Sequence, residues 1–218
     1  MDKTFWHDCW EQNKLGFHQQ EVHPFLSRYL ENLLRDEDKH VFVPLCGKSL
    51  DMAWLAERML VSGAELSEIA CRDFFQEKGI PYQSRREGDF QLFSYDNLTL
   101  WQGDFFKLSS ELLPAVDWIY DRAALIALPE AMQQAYVDKL LSFMKPHTRI
   151  LLVSVEYPPE EMQGPPFSAF EQDIRRLFCA DKDLKIEKLA TVIHEDKRFA
   201  RRTFNVSSLA ETLYFIGY

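Results

Sequence analysis

Residues 40–58 read HVFVPLCGKSLDMAWLAER, and this stretch decides the fold. The apolar run Val41–Val43 has the length of a strand and meets a Pro44-Leu45-Cys46-Gly47 turn. Beyond Ser49, Leu50 and Trp54, then Asp51 and Leu55, fall four apart, the spacing of one helical face. Strand, glycine turn and helix is how a Rossmann-like sheet opens a nucleotide site, because a residue without Cβ lets backbone approach a ligand. Eighteen positions after Gly47 stands Glu65, at the end of the run Leu60–Ala64. An acid at the tip of the second strand, about 20 residues past the turn, is placed to take both hydroxyls of a ribose.

The full phosphate fingerprint is missing. There is no G-x-G-x-x-G, and Gly47-Lys48-Ser49 is only the tail of a P-loop, with Phe42 standing where its first glycine belongs. A nucleoside without a pyrophosphate explains one glycine plus one acid, and S-adenosylmethionine is the commonest such ligand. The same spacing equally suits an ordinary β-turn-α joint.

Composition bounds the rest. With 218 residues the expectation is one domain spanning 1–218, its first 39 residues forming a helical cap. Hydrophobic residues at 46% and aromatics at 14% are ample for a buried core. A formal charge of −9 disfavours nucleic acid as a partner, since no basic field would repay counterion displacement. The 4 cysteines are scattered without a C-x-x-C pair, which fits reduced thiols in a cytoplasm. The 6 histidines show no zinc spacing, so no metal is expected. A polar, aromatic N-terminus lacks the core of a signal peptide, and the longest aliphatic run, Ile150–Val153, cannot span a membrane.

Along the chain, Phe5, Trp6, Cys9 and Trp10 form one stripe of a helix over 4–13, and Trp6, Trp10 and Gly16-Phe17-His18 suit either core packing or a lid over a ligand. A second helix covers 24–34, opened by Pro24. Ser67 caps a helix that ends at Gly79. Residues 90–101 alternate around Asp96-Asn97 as a hairpin, followed by Gly103-Asp104, an acid able to accept the exocyclic amine of adenine or simply to hold a turn. The buried strand Val116–Asp121 ends on Arg122, either a site at a strand's carboxyl end or a salt bridge holding the next loop. A helix from Pro129 to before Pro146, a strand over 148–155 and the stiff Gly164-Pro165-Pro166-Phe167 loop follow, the loop forming one wall of a substrate pocket. A helix over 168–179 and strands over 186–193 and 209–216 complete an α/β, three-layer αβα sandwich, its mostly parallel sheet ending in an antiparallel strand.

Five motifs in order carry a resemblance: Trp6 and Trp10 with Gly16-Phe17-His18, Val41–Ser49, Ala64–Glu68 (AELSE), Tyr120–Leu125 (YDRAAL), and Gly164–Phe178 (GPPF…IRRLF). Together they resemble the thiopurine S-methyltransferase family of class I S-adenosylmethionine-dependent methyltransferases, from Thr4 to the C-terminus. The resemblance implies that Trp10 and Trp6 cover the cofactor, and that Leu45 and Gly47 lie along its methionine portion. Glu65 would hold the ribose, and Asp104 and Phe105 would stand at the adenine. Arg122 would sit near the cofactor carboxylate or the acceptor, and Phe17 would stack on an aromatic substrate. A basic residue near the C-terminus would face the substrate, supplied by Arg198, Arg201 or Arg202, with Arg202 as the candidate. Two departures stand out. The turn before the second strand (Arg58-Met59-Leu60) is one residue short and lacks the family's glycine, so a tightened turn with Glu65 kept in place is expected; and Phe204-Asn205 replaces a residue-glycine pair.

Methyl transfer from a sulfonium needs near-attack geometry and exclusion of water more than acid–base machinery. A thiol acceptor must react as thiolate or thione, and a nearby cation such as Arg122 favours the anion. The expected activity is therefore S-methylation of aromatic or heterocyclic thiols, by a cytoplasmic monomer acting on a small molecule, with no membrane partner. The alternatives are methylation of small inorganic nucleophiles (halide, thiocyanate, selenium or tellurium species) and a non-catalytic cofactor-binding module.

Overall fold

The computed structural model describes residues 3–178 and 183–218. The chain divides into two compact units, one ending at Asp117 and the other beginning at Trp118.

The first unit runs α1 (Lys3–Glu11), α2 (Pro24–Leu33), β1 (His40–Val43), α3 (Leu50–Ala56), β2 (Leu60–Glu65), α4 (Glu68–Gln76), β3 (Gln83–Glu87), β4 (Phe90–Tyr95) and β5 (Leu98–Gln102). Its strands lie in the order β3-β4-β5-β2-β1. β1 and β2 are parallel, as are β2 and β5, while β3, β4 and β5 pair antiparallel. All four residues of β1 are buried, as a parallel strand covered on both faces requires. The hairpin expected around Asp96-Asn97 joins β4 to β5, with Asp96 in the left-handed region at φ 49°. The turn before β2 is tight: the amides of Arg58 and Met59 both donate to the Leu55 carbonyl, so α3 needs no glycine to stop.

Strand β3 has no counterpart in the sequence reading. Its residues, QSRRE, are almost all exposed and carry no apolar alternation, which is how a charged edge strand discourages further pairing.

The second unit runs β6 (Trp118–Arg122), α5 (Glu130–Leu141), β7 (Arg149–Glu156), α6 (Glu171–Leu177), β8 (Lys185–Ile193), β9 (Arg198–Phe199), β10 (Arg202–Thr203) and β11 (Ala210–Gly217). Its sheet order is β6-β7-β11-β8, and β9-β10 form a separate small hairpin. β6 and β7 are parallel across the α5 connection, whereas β11 lies antiparallel to both β7 and β8. The antiparallel C-terminal strand is thus present.

Helix α6 is shorter than the expected 168–179. Ser168 does not cap it: the Ser168 hydroxyl accepts the Tyr157 amide and donates to the Tyr157 carbonyl, folding the proline loop back on β7. Asp173 instead accepts the Phe170 amide at 3.0 Å, which fixes the helix start at Glu171. The expected C-terminal residue Cys179 lies outside the described residues.

Candidate active site

The Pro44–Gly47 turn is pinned to the end of β2. The Cys46 amide donates to the Ala64 carbonyl at 2.9 Å, and the Gly47 amide donates to Glu65 Oε2 at 2.8 Å. Two residues of the turn are left-handed, Leu45 at φ 45° and Gly47 at φ 54°. Backbone of this kind clusters at ligand sites, where surrounding contacts hold it. Space dictates another glycine: a Cβ on Gly63 would lie 2.7 Å from both Cys46 Sγ and a Leu100 methyl, so only glycine lets the turn settle on β2. Ser49 then caps α3 by accepting the Asp51 amide, and buried Asp51 accepts the His23 amide at 2.8 Å.

Glu65 is 7% exposed. Its second oxygen, Oε1, accepts the Ser67 amide at 2.7 Å, so each carboxylate oxygen holds one backbone N–H. Burial pushes this carboxyl above its ordinary pKa, and the amides of Ser67, Gly47 and Leu66 pull it back toward the charged form. A carboxylate presents about four acceptor directions, so capacity is left for a sugar hydroxyl. Gly103, which precedes Asp104, donates its amide to the Glu65 carbonyl at 2.8 Å. The half-buried Asp104 caps the following turn by accepting the Phe106 amide at 3.1 Å. The Phe105 ring is drawn inward, stacked on Phe42 with ring centres 6.3 Å apart, and its neighbour Phe106 is the exposed one.

Over the glycine turn lies α1. Trp10 is 5% exposed, and a Cβ on Gly47 would sit 3.3 Å from its Cζ2 atom. Phe17 meets Trp10 edge-on at 5.7 Å and Trp6 at 5.6 Å, so the three predicted aromatics form one cluster. Trp10 also packs with Leu15 and with Ala70 of α4. Lys48, which the sequence offered only as a P-loop remnant, is 6% exposed and held by Asp73 of α4 at 3.2 Å and by Glu77, just past the end of that helix, at 2.6 Å. Its ammonium stands 5.9 Å from the Trp10 ring centre, so the lysine ties turn, helix and cap together. Burial raises both buried thiols here, Cys46 and Cys71, well above their ordinary pKa, with Glu65 adding to the effect, which disfavours the reactive thiolate. A polar cavity of about 470 Å³ between α4 and the β3–β5 strands, lined by Arg72, Tyr82 and Arg86 among others, includes none of the predicted residues.

In the second unit, Arg122 ends β6. Its Nε and Nη2 atoms are buried with no hydrogen-bond partner among the described residues. Ala123 follows at φ 62°. Asp121, the alternative salt-bridge partner, turns elsewhere: Oδ2 accepts the Tyr136 hydroxyl at 2.7 Å and Oδ1 the Leu125 amide at 3.1 Å. Of the three C-terminal arginines, Arg202 reaches the proline loop, with Nη1 donating to the Pro165 carbonyl at 3.4 Å, and lies over the Phe204 ring. Arg198 bonds locally to the Ala200 carbonyl.

The first unit therefore gathers Trp6, Trp10, Phe17, Leu45, Gly47, Glu65 and Asp104 at one end, and the second holds Arg122 and Arg202. Gly63, Lys48, Asp121 and Tyr136 were not singled out individually. Their roles depend on contacts across 15 to 37 residues, which spacing within a motif does not reveal.

Comparison with known proteins gives these residues a context. The family model for thiopurine S-methyltransferase (TPMT) matches residues 1–217. The chain belongs to the thiopurine S-methyltransferase family. Curated thiopurine S-methyltransferases of Nitrosospira multiformis and Vibrio cholerae are 41% and 42% identical, over 99% of this chain and 98% and 97% of theirs. Among solved structures, an S-adenosylmethionine-dependent methyltransferase of Anabaena variabilis superposes with a TM-score of 0.65 at 12% identity, covering 99% of this chain and 94% of its own. The Burkholderia thailandensis 1,6-didemethyltoxoflavin N1-methyltransferase, solved with S-adenosylhomocysteine, gives 0.64 at 12% identity over 99% and 87%. The fold is that of the class I methyltransferases, as the sequence led one to expect.

Within this thiopurine S-methyltransferase family member, no group of three or more His, Cys, Asp or Glu among the described residues is arranged to hold a metal ion. Nor, among those residues, is any helix long and apolar enough to cross a membrane.

Proposed function

We propose that this chain transfers a methyl group from S-adenosylmethionine to the sulfur of aromatic or heterocyclic thiols, thiopurines among them. The observation that carries the assignment is the Glu65 carboxylate bonded at 2.8 Å to the amide of left-handed Gly47, with Trp10 closed over that glycine. S-adenosylmethionine supplies an electrophilic methyl on a sulfonium, and its departing half is S-adenosylhomocysteine.

The chain's own residues then have these roles. Glu65 accepts ribose hydroxyls with the acceptor capacity its two amides leave free. Leu45 and Gly47 present backbone to the methionine portion, and Asp104 and the Phe105 backbone meet the adenine. Trp10 and Trp6 exclude water, and Phe17 offers a ring edge or face to an aromatic acceptor. Arg122 provides a guanidinium whose buried Nε and Nη2 lack a partner among the described residues, suited to the cofactor carboxylate or to the acceptor thiolate. Arg202 contributes positive charge beside the Gly164–Phe167 loop. The proposal includes a cytoplasmic monomer, with neither nucleic acid nor membrane as partner.

Product identification tests it. Incubation with the cofactor and a panel of thiopurines and thiophenols should give S-methyl thioethers and S-adenosylhomocysteine by mass spectrometry. Arg122→Ala should lower kcat/KM about 10²-fold, the loss of one charge-assisted contact in a dry site. Methyl transfer only to volatile halide, selenium or tellurium products in the headspace, or no transfer at all, would overturn it.

A further inference from the structure

We propose that Asp121, braced by the Tyr136 hydroxyl, is the positioning residue that aims the Arg122 guanidinium. Asp121 and Arg122 are neighbours on β6, so their side chains leave opposite faces of the strand. The carboxylate is fully buried. Oδ1 accepts the Leu125 amide at 3.1 Å, which clips the backbone of Arg122, Ala123 and Ala124 into one closed turn. Oδ2 accepts the Tyr136 hydroxyl at 2.7 Å, which anchors that clip to α5.

Inside the turn sits Ala123 at φ 62°, a conformation that an alanine holds only where its surroundings dictate it. Two guanidinium nitrogens of Arg122 have no partner among the described residues, so no side-chain bond at those atoms fixes the direction of the group. The backbone it leaves then bears directly on where the group points, and the Asp121 clip fixes that backbone. An apolar side chain at 121 would fill the same space without the desolvation that a buried carboxylate suffers. What the acid adds is its two bonds, one to the segment that follows Arg122 and one that ties that segment to α5. Burial raises its pKa to about 6, and the Tyr136 and Leu125 donors work against that rise.

This inference rests on the assignment of Arg122 as the anion-binding group of the proposed function. A double-mutant cycle on the full chain tests it, with Asp121→Asn, Arg122→Ala and the pair. Calorimetry with S-adenosylhomocysteine gives the affinity, and kcat/KM is measured for a thiopurine. In whichever of the two falls with Arg122→Ala, Asp121→Asn should cost 10- to 30-fold when Arg122 is present and less than twofold when it is absent. A purely structural Asp121 would lower Tm and give the same penalty in both backgrounds, which overturns the proposal. So would an Asp121→Asn variant indistinguishable from wild type. If Arg122→Ala changes neither quantity, the Arg122 assignment itself fails and the positioning role falls with it. Should Asp121→Asn not fold, Tyr136→Phe removes only the bracing hydroxyl, and a 3- to 10-fold loss that vanishes in the Arg122→Ala background is expected.

Discussion

At Glu65 both carboxylate oxygens accept backbone amides, whereas at Arg122 two guanidinium nitrogens are buried with no partner among the described residues. The first group is part of the architecture of its unit: it ties the glycine turn and the start of α4 to the end of β2. The second leaves two nitrogens without a bond among the described residues of its own unit. A satisfied buried charge supports the fold, and an unsatisfied one costs about 1–3 kcal/mol or more until something pairs with it. The contrast separates residues that build a site from residues that only serve it. In the first unit the two roles coincide, with Lys48 doing for α4 and Trp10 what Glu65 does for the turn. In the second they are divided between adjacent residues, Asp121 holding the loop and Arg122 facing outward from the network.

The most forceful way to break this comparison is Glu65→Ala. It strands the buried amides of Gly47 and Ser67, so urea unfolding should show a loss of about 2–4 kcal/mol, the cost of two unsatisfied donors. Calorimetry should show S-adenosylhomocysteine bound at least 30-fold more weakly. A variant as stable as wild type would mean that the acid serves a ligand alone, and unchanged binding would remove it from the cofactor site.

Next comes the pH dependence of Asp121. Its folded pKa, about 6, lies above the ordinary 3.8, so the acid favours the folded state when protonated. That contribution is complete below about pH 4 and is lost as pH rises through about 6; the gap corresponds to on the order of 3 kcal/mol. Asp121→Asn keeps an acceptor for Leu125 and cannot titrate. The stability difference between wild type and variant should therefore shrink by roughly 2–3 kcal/mol between pH 4 and pH 7, measured by unfolding at each pH. A constant difference would show that the Tyr136 and Leu125 donors offset the burial of the carboxyl in full.

How far the sequence foretold all this follows the same division. The glycine turn and Glu65 were legible because they lie within one strand-turn-helix pattern, where spacing and geometry are nearly the same thing, and the Ser67 cap of α4 follows directly from it. Trp10 was legible as part of an aromatic stripe and Phe17 as part of a candidate lid, though only the structure closes Trp10 over Gly47. Gly63 was not, since nothing local distinguishes a glycine required by space from one tolerated in a strand; the Cys46 and Leu100 side chains that crowd it come from elsewhere in the chain. Strand β3 was missed because its charged residues face solvent, and β9 and β10 because two residues make no pattern. The motif placed Asp121 beside Arg122 but left open whether the two pair; Tyr136, 15 residues on, answers that by taking the carboxylate for itself.

The smallest expected effect is also the one that discriminates best, because it is a change of sign. Arg122→Met keeps the length and the apolar stem of the side chain and removes the guanidinium. If the guanidinium serves the fold, as Glu65 does, the variant must lose stability. If it is held for a ligand, its buried Nε and Nη2 leave no partner behind among the described residues, and the desolvation of a buried charge is relieved. Without cofactor, the Tm of Arg122→Met should therefore equal or exceed that of wild type, by a gain within about 1 kcal/mol, as happens when a strained functional group is replaced. Saturating S-adenosylhomocysteine should raise the wild-type Tm more than that of the variant, reversing the order if the arginine takes the cofactor carboxylate. A loss of more than about 1 kcal/mol in the ligand-free variant would place Arg122 with Glu65 among the residues that build the molecule, and the distinction between the two units would disappear.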